Sequence, residues 1–401
     1  MALVSVEKAL EIILSHISPT NGEKVELSQG LGRILACDHY AKRTQPPFDS
    51  SAMDGYAIKF SDNDVGHCLN VIGQSAAGRG FAGSIEKGEC VRIFTGAPVP
   101  EGADTILIQE NVQKQENNTI IINEKASSKG IYIRPKGLDF KKDCFYLSKN
   151  TCLTPEKLSL LAAMNYYEIK VRRKPKVAIL SLGDELKRPG EHLDQHQIIA
   201  SNAYGLHSLL QKYGAEPIDL GIIADSLEAT TSALQKAYDA KADIIITSGG
   251  ASVGDHDYVK PSFDRLGVET YFWKIAMRPG KPLMFGKKGH SLFIGLPGNP
   301  VSSLVCSHIF LRPVLAKMLV NDDIIPQFTP AYLCGNLKKN DQREDYLRGI
   351  YHICNGEVYA TPFEKQDSSM LSLAASANCF IHRPAHSNSA LEGEKIKIIK
   401  L

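Results

Sequence analysis

No two cysteines in this chain are spaced CxxC, and its nine cysteines are scattered and odd in number. That excludes a disulfide framework and a thiolate zinc site of the usual spacing, and points to free thiols in a reducing cytosol. No block of lysine or arginine is present, and the formal net charge is only +2. Nucleic acid and anionic membrane surfaces therefore have no electrostatic claim on the protein. No apolar run reaches the ~18 residues that span a bilayer. The N-terminus also lacks the basic, apolar and small-residue order of a secretory leader, so a cytoplasmic protein is expected. Walker A, HExxH and GxSxG sequences are missing, which leaves P-loop enzymes, zincins and nucleophile-elbow hydrolases without support. The twelve histidines show no metal-ligand spacing. Gly78-Arg-Gly-Phe-Ala-Gly83 matches GxGxxG. It is followed by Ser-Ile-Glu-Lys-Gly instead of a helix, so it is no dinucleotide fingerprint.

What is present is an ordinary globular composition spread over 401 residues, enough for two to four domains. Ser5 is placed to cap a first helix with Val6, Leu10, Ile13, Leu14 and Ile17 on one face. Residues 46–145 carry short β-branched runs between glycine and proline turns, the texture of a β-rich domain. Thr154-Pro-Glu opens another helix, with proline at its first position. Residues 1–45 and 146–174 together are expected to form a helical unit flanking the β segment. Residues 175–322 alternate strands with helices, which predicts a mostly parallel sheet. The strands expected there include Val177–Ser181, Ile218–Ile223, Asp243–Thr247 and Ser291–Gly295. From 323 to 401 the chain is strand-like again.

Ligands of an open parallel sheet bind beyond the carboxyl ends of its strands. That rule gathers Gly183-Asp-Glu-Leu186, Asp225-Ser226, the Gly249–Asp257 loop and Leu296-Pro-Gly-Asn-Pro300 on one rim. Glycine-rich backbone and helix N-termini favour anions, whereas carboxylates favour a hard cation. Magnesium commonly joins a few carboxylates to a substrate phosphate, so a phosphorylated ligand held partly through magnesium is expected. Asp225 taken alone reads first as a helix cap, and the glycines alone are equally turn residues. Arg278-Pro-Gly-Lys281-Pro sets two cations in a stiff loop, either an oxyanion clamp or a solvated turn. Asp49 and Asp54 sit among apolar and small residues, unlike a solvated loop.

Six segments, in order along the chain, resemble the molybdopterin molybdenumtransferases of the MoeA and gephyrin E-domain type. They are Pro47-Phe-Asp-Ser-Ser-Ala-Met-Asp-Gly-Tyr-Ala57, Arg92-Ile-Phe-Thr-Gly-Ala-Pro-Val-Pro-Glu-Gly-Ala-Asp104 and Gly183-Asp-Glu-Leu186. The others are Ser248-Gly-Gly-Ala-Ser-Val-Gly-Asp-His-Asp257, Arg278-Pro-Gly-Lys-Pro282 and Leu296-Pro-Gly-Asn-Pro-Val-Ser302. The resemblance implies a multidomain α/β and β architecture. Its parts are a central three-layer α/β domain, a β-rich domain, an extended helical N-terminal domain and a C-terminal β domain. It further implies insertion of molybdenum from molybdate into adenylylated molybdopterin, with release of AMP and finished cofactor. No fused molybdopterin adenylyltransferase domain is expected; that enzyme and the recipient molybdoenzymes are the implied protein partners.

By the same resemblance, Asp225, Asp257 and Glu185 hold magnesium and serve the cleavage. Gly249, Gly250, Ser252, Gly254, Pro297 and Asn299 line the molybdopterin–AMP site. Arg278, Lys281, Arg348 and Ser368 bind molybdate. Asp54 and Thr95 reach the site from the other subunit of an elongated homodimer. Three positions depart from the pattern: Asp367 stands where glycine commonly precedes the serine, Arg278 replaces a frequent lysine, and Leu182 a frequent threonine. The alternatives are a scaffold on the same fold and another magnesium-dependent nucleotidyl or phosphoryl enzyme.

Overall fold

The computed structural model describes residues 3–250 and 258–401, and the chain divides into two compact units. One contains Arg172–Leu401 with Met1–Glu23 and Gly32–Ile34; the other contains Lys24–Leu31 and Leu35–Val171.

The first unit is built on a six-stranded sheet. Its order is Glu216–Ile223, Lys176–Leu182, Ile244–Ser248, Ser291–Leu296, Met284–Lys288 and Glu269–Phe272. The first four strands run parallel and the last two pairings are antiparallel. Successive side chains of a strand point to opposite faces, and these strands are apolar at both parities, so both faces must be covered. Ile244 and Ile246 point with Val177, Ile179 and Ile294 into one cluster, shared with Leu206, Leu210, Val301 and Phe310 of the overlying helices. Ile245 points with Ala178, Leu180 and Phe293 into another, against Leu234, Val259 and Phe263. The result is a three-layer α/β domain.

Ser5 caps helix Val6–Ser15, its hydroxyl accepting from Lys8 N at 3.2 Å. The apolar stripe Val6, Ala9 and Ile13 is buried in the first of those clusters. This helix therefore belongs with the α/β layer and not with residues 146–174, since a stripe goes to the largest apolar surface able to bury it. The run Pro300–Leu319 is one continuous helix, with a π-helical stretch at Ser307–Leu311. It is long and apolar enough to cross a membrane, but 83% of its apolar window is buried in the protein core.

Beyond it, five strands close into a barrel: Glu344–Cys354, Glu357–Pro362, Phe328–Leu333, Lys395–Lys400 and Cys379–Arg383, the last pairing back with the first. Leu333, Ala360, Ile381, Ile396 and Ile398 fill it. Met277–Arg278 adds to this sheet, parallel to Glu344–Asp345. That pairing ties the Arg278 loop to the barrel.

The second unit carries a six-stranded mixed sheet in the order Thr105–Ile108, Gly55–Ile58, Glu89–Ile93, Cys68–Ser75, Thr119–Ile122 and Val112–Lys114. Helix Pro155–Ala163 begins at Thr154, which caps it, and packs Leu161 against Leu35, Phe140, Ile169 and Val171. Cys37, Cys68, Cys90, Cys144, Cys306, Cys334, Cys354 and Cys379 are free thiols.

Candidate active site

Four parallel strands end side by side at Leu182, Ile223, Ser248 and Leu296. Beyond them lies a cleft of about 660 Å³ whose walls include Glu185, Asp225, Gly249, Gly250, Pro297 and Asn299. Six of the residues singled out from the sequence thus share one cavity, as the topology rule requires. Ser252, Gly254, Asp255 and Asp257 lie outside the described residues.

Helix Leu227–Asp239 is capped by Ser226, whose hydroxyl accepts from Ala229 N at 3.1 Å. Asp225 is therefore released from capping, and its carboxylate turns to the neighbouring loop. The backbone ladder between the two strands ends where Gly183 N donates to Ile223 O at 3.3 Å. Side chains then take over. Asp184 N donates to Asp225 Oδ2 at 3.3 Å, and Asp225 N donates to Asp184 Oδ1 at 3.1 Å. Among the described residues no three histidine, cysteine or acidic side chains cluster as a metal centre.

Gly249 has φ +94°, and a Cβ there would lie 2.7 Å from Leu182 O. Its N–H already donates to Leu296 O at 3.2 Å. Gly249 thus contributes a close backbone approach and not a free anion donor, a correction to the simple picture of a cradle of N–H groups. Gly298 packs on it, with 3.5 Å between a built Cβ and Gly249 Cα. Asn202 straps this corner: its Nδ2 donates to Ser248 Oγ and to Gly298 O, both at 2.8 Å. Ser201 precedes Asn202 at the start of helix Asn202–Lys212 but makes no side-chain cap bond. The amide next to an uncommitted cap was the available signal.

Asn299 starts helix Pro300–Cys306, and its Nδ2 donates to Ser368 Oγ at 2.8 Å. Val301 N donates to Ser368 O at 3.2 Å. The helix start thus brings Ser368, from a distant part of the chain, to the edge of the cleft that Ser369 lines. Asp367 does not leave its charge loose beside Ser368. Its Oδ1 accepts from Ser369 Oγ at 2.6 Å and Ser369 N at 2.8 Å, and these bonds hold the carboxyl below its ordinary pKa. Arg348 is only 1% exposed. Its Nη2 donates to Asp367 O at 3.0 Å, while Nε is buried with no hydrogen-bond partner among the described residues. Burial pulls its pKa below the usual arginine value. A buried guanidinium with an unused donor is a natural seat for an anion.

Arg278 points its fork at Asp345, with Nε–Oδ1 and Nη2–Oδ2 both 2.8 Å, and Nη1 lies 3.5 Å from Asp341. The Asp345 bonds push its pKa up. Lys281 is exposed, and its carbonyl accepts from Ile275 N at 2.9 Å beside the cleft residue Pro282. In the second unit, Asp54 Oδ1 accepts from Thr95 N at 2.7 Å and Thr95 Oγ1 at 2.8 Å. Those two bonds hold the Asp54 carboxyl below its ordinary value.

Three family models match in succession. They are the MoeA N-terminal region (domain I and II) over residues 4–165, a probable molybdopterin binding domain over 178–317, and the MoeA C-terminal region (domain IV) over 330–401. The chain is 38% identical over 399 residues to the molybdopterin molybdenumtransferase of Haemophilus influenzae, covering 99% of this chain and 98% of that one. It is 31% identical over 403 residues to that of Bacillus subtilis, covering 99% and 94%. A crystal structure of a molybdopterin biosynthesis MoeA protein from Pyrococcus horikosii superposes with a TM-score of 0.85 at 31% identity, covering 100% of this chain and 99% of that one. By sequence along its whole length and by fold, the chain belongs to the MoeA family of molybdopterin molybdenumtransferases.

Proposed function

We propose that this protein, a transferase of molybdenum cofactor biosynthesis by its family, takes adenylylated molybdopterin in the cleft beyond the α/β sheet. It inserts molybdenum from molybdate and releases AMP. The observation that carries this reading is the joining of two unlike walls in one cleft. One wall is the close-approach glycine backbone at Gly249 and Gly250; the other is Asp225 and Glu185, free of any capping duty. A nucleotide-linked pyrophosphate calls for both, backbone that allows phosphate to approach and carboxylates that hold a compensating cation.

Magnesium suits the oxygen-only donors Asp225 and Glu185, with Asp257 as a further ligand by family resemblance. When bound it supplies Lewis acidity toward the phosphate oxygens. The remaining work belongs to the chain's own groups. Arg348 and Ser368, with Arg278 and Lys281 in the adjoining loop, receive the molybdate oxyanion, and the unused Nε of Arg348 supports that assignment. Asp54 is kept ionised by Thr95, and we assign this pair to the same reaction, contributed by the second subunit of a homodimer.

The test is AMP release and cofactor formation from adenylylated molybdopterin and molybdate by purified protein. Asp225→Ala should abolish AMP release and keep the wild-type melting profile. Wild-type release by that variant would remove Asp225 from the reaction. A scaffold would show no release at all, and another nucleotidyl enzyme would carry a simple nucleotide instead of molybdopterin when its bound ligand is weighed by mass spectrometry.

A further inference from the structure

The loops after strands Lys176–Leu182 and Glu216–Ile223 are joined by a reciprocal pair of bonds at the point where the backbone ladder stops. Asp184 Oδ1 accepts from Asp225 N at 3.1 Å, and Asp225 Oδ2 accepts from Asp184 N at 3.3 Å. Gly183, at φ +148°, lets the chain leave the ladder just before the pair. A Cβ on Gly183 would collide with the carboxylate end of Glu185, which lies over this turn.

From this geometry we infer that Asp184 is a positioning residue for Asp225. The inference rests on the role proposed above for Asp225 in the cleft. An aspartate side chain has several staggered χ1 wells and a broad χ2 open to it unless something holds it. Ser226 serves the helix, so the fixed point for Asp225 is Asp184. Binding Asp225 Oδ2 to the Asp184 N–H fixes the carboxylate plane. The return bond from Asp225 N holds the Asp225 backbone against the same residue. At 3.1 and 3.3 Å neither bond is short, and the restraint comes from there being two of them between the same pair of residues. Asp184 itself is exposed and is not among the residues lining the cleft, whereas Asp225 and Glu185 are. It therefore acts through Asp225 and not on the ligand.

Two variants separate the roles. Asp184→Asn keeps an oxygen to accept from Asp225 N; Asp184→Ala removes it. Loss of an outer partner of a ligating carboxylate typically costs about 10- to 100-fold. Asp184→Ala keeps the Asp184 N–H on Asp225 Oδ2 and frees only the Asp225 backbone, so its effect should lie at the low end of that range: kcat for AMP release about tenfold lower and a higher magnesium concentration for half-maximal rate, with KM for molybdate unchanged. Asp184→Asn should recover most of the loss. Amide hydrogen exchange at Asp225, which needs no substrate, should speed up in the alanine variant and stay slow in wild type and the asparagine variant. Wild-type kinetics in Asp184→Ala would overturn the inference. So would an asparagine variant as impaired as alanine, because that marks Asp184 as a direct ligand. Fast Asp225 exchange in the wild type would overturn it independently. If the wild type releases no AMP, it is the functional reading that fails, and the exchange experiment still decides the clasp.

Discussion

Arg278 and Asp345 meet fork to fork, two parallel bonds of 2.8 Å joining a loop of the α/β domain to the first strand of the barrel. Asp345 is 4% exposed, whereas the Arg278 side chain is 43% exposed. The pair is therefore asymmetric: removing the arginine strands a buried carboxylate, while the arginine itself keeps access to water. Lysine cannot reproduce a bidentate fork. Arg278→Lys should keep the fold and raise KM for molybdate about tenfold with kcat little changed. Arg278→Ala should in addition destabilise by ~1–3 kcal/mol, less than a fully buried pair because half the contact is solvated. Steady-state AMP release against molybdate and thermal melting check both; an unchanged KM in the lysine variant would remove Arg278 from molybdate binding.

The two glycines packed together at the cleft should respond differently to alanine. Gly249 combines φ +94° with a Cβ position 2.7 Å from Leu182 O. Holding a side chain in the left-handed region costs about 1–3 kcal/mol before that collision is counted. Gly249→Ala should lower the melting temperature by several degrees or more, about what 2–3 kcal/mol does in domains of this size. Gly298 has a built Cβ at an ordinary 3.5 Å from Gly249 Cα, so Gly298→Ala should melt like the wild type while binding nucleotide more weakly. Equal melting temperatures for the two variants would contradict the geometry.

His308, which does not line the cleft, links acidity to stability. Burial first, then Arg312 and Lys212, lower its pKa from 6.5 to about 3. The folded protein thus keeps it neutral while the unfolded chain protonates it below 6.5. Between those two values the unfolded state binds the extra proton, so stability falls as pH falls, by at most about 1.4 kcal/mol per unit. His308→Gln should lose this share of the acid sensitivity between pH 6.5 and 3. Urea midpoints at pH 7 and 5 measure it, and parallel slopes for both proteins would show that His308 is not the group responsible.

Much of the α/β domain was legible because its strands are short apolar runs punctuated by loop residues, and the topology then placed the rim without knowledge of any contact. Caps are legible at Ser5 and Thr154, which cap as expected; Ser201, also a serine before a helix, makes no cap bond. The first helix was assigned to the wrong neighbour. Its periodicity reports that one face is buried but not against what, and only the folded core supplies the partner. The same limit hid Asn202 and Asp184. Each acts through a residue about 40 or more positions away, and nothing local distinguishes an amide that straps two loops from one that starts a helix. Asp367 shows the converse. Which way its carboxylate turns is not written in the sequence beside Ser368; in the fold it accepts from Ser369 N and Oγ.

The barrel at the C-terminal end leaves none of its five strands with an unpaired side, because Cys379–Arg383 returns to Glu344–Cys354. The α/β sheet, by contrast, ends on Glu216–Ile223 and Glu269–Phe272. A closed ring gives no template for a further strand, while an open sheet does. The mixed sheet of the second unit is open in the same way, ending on Thr105–Ile108 and Val112–Lys114, so under stress misassembly between copies should nucleate on the margins of these two open sheets, with the barrel recruited last.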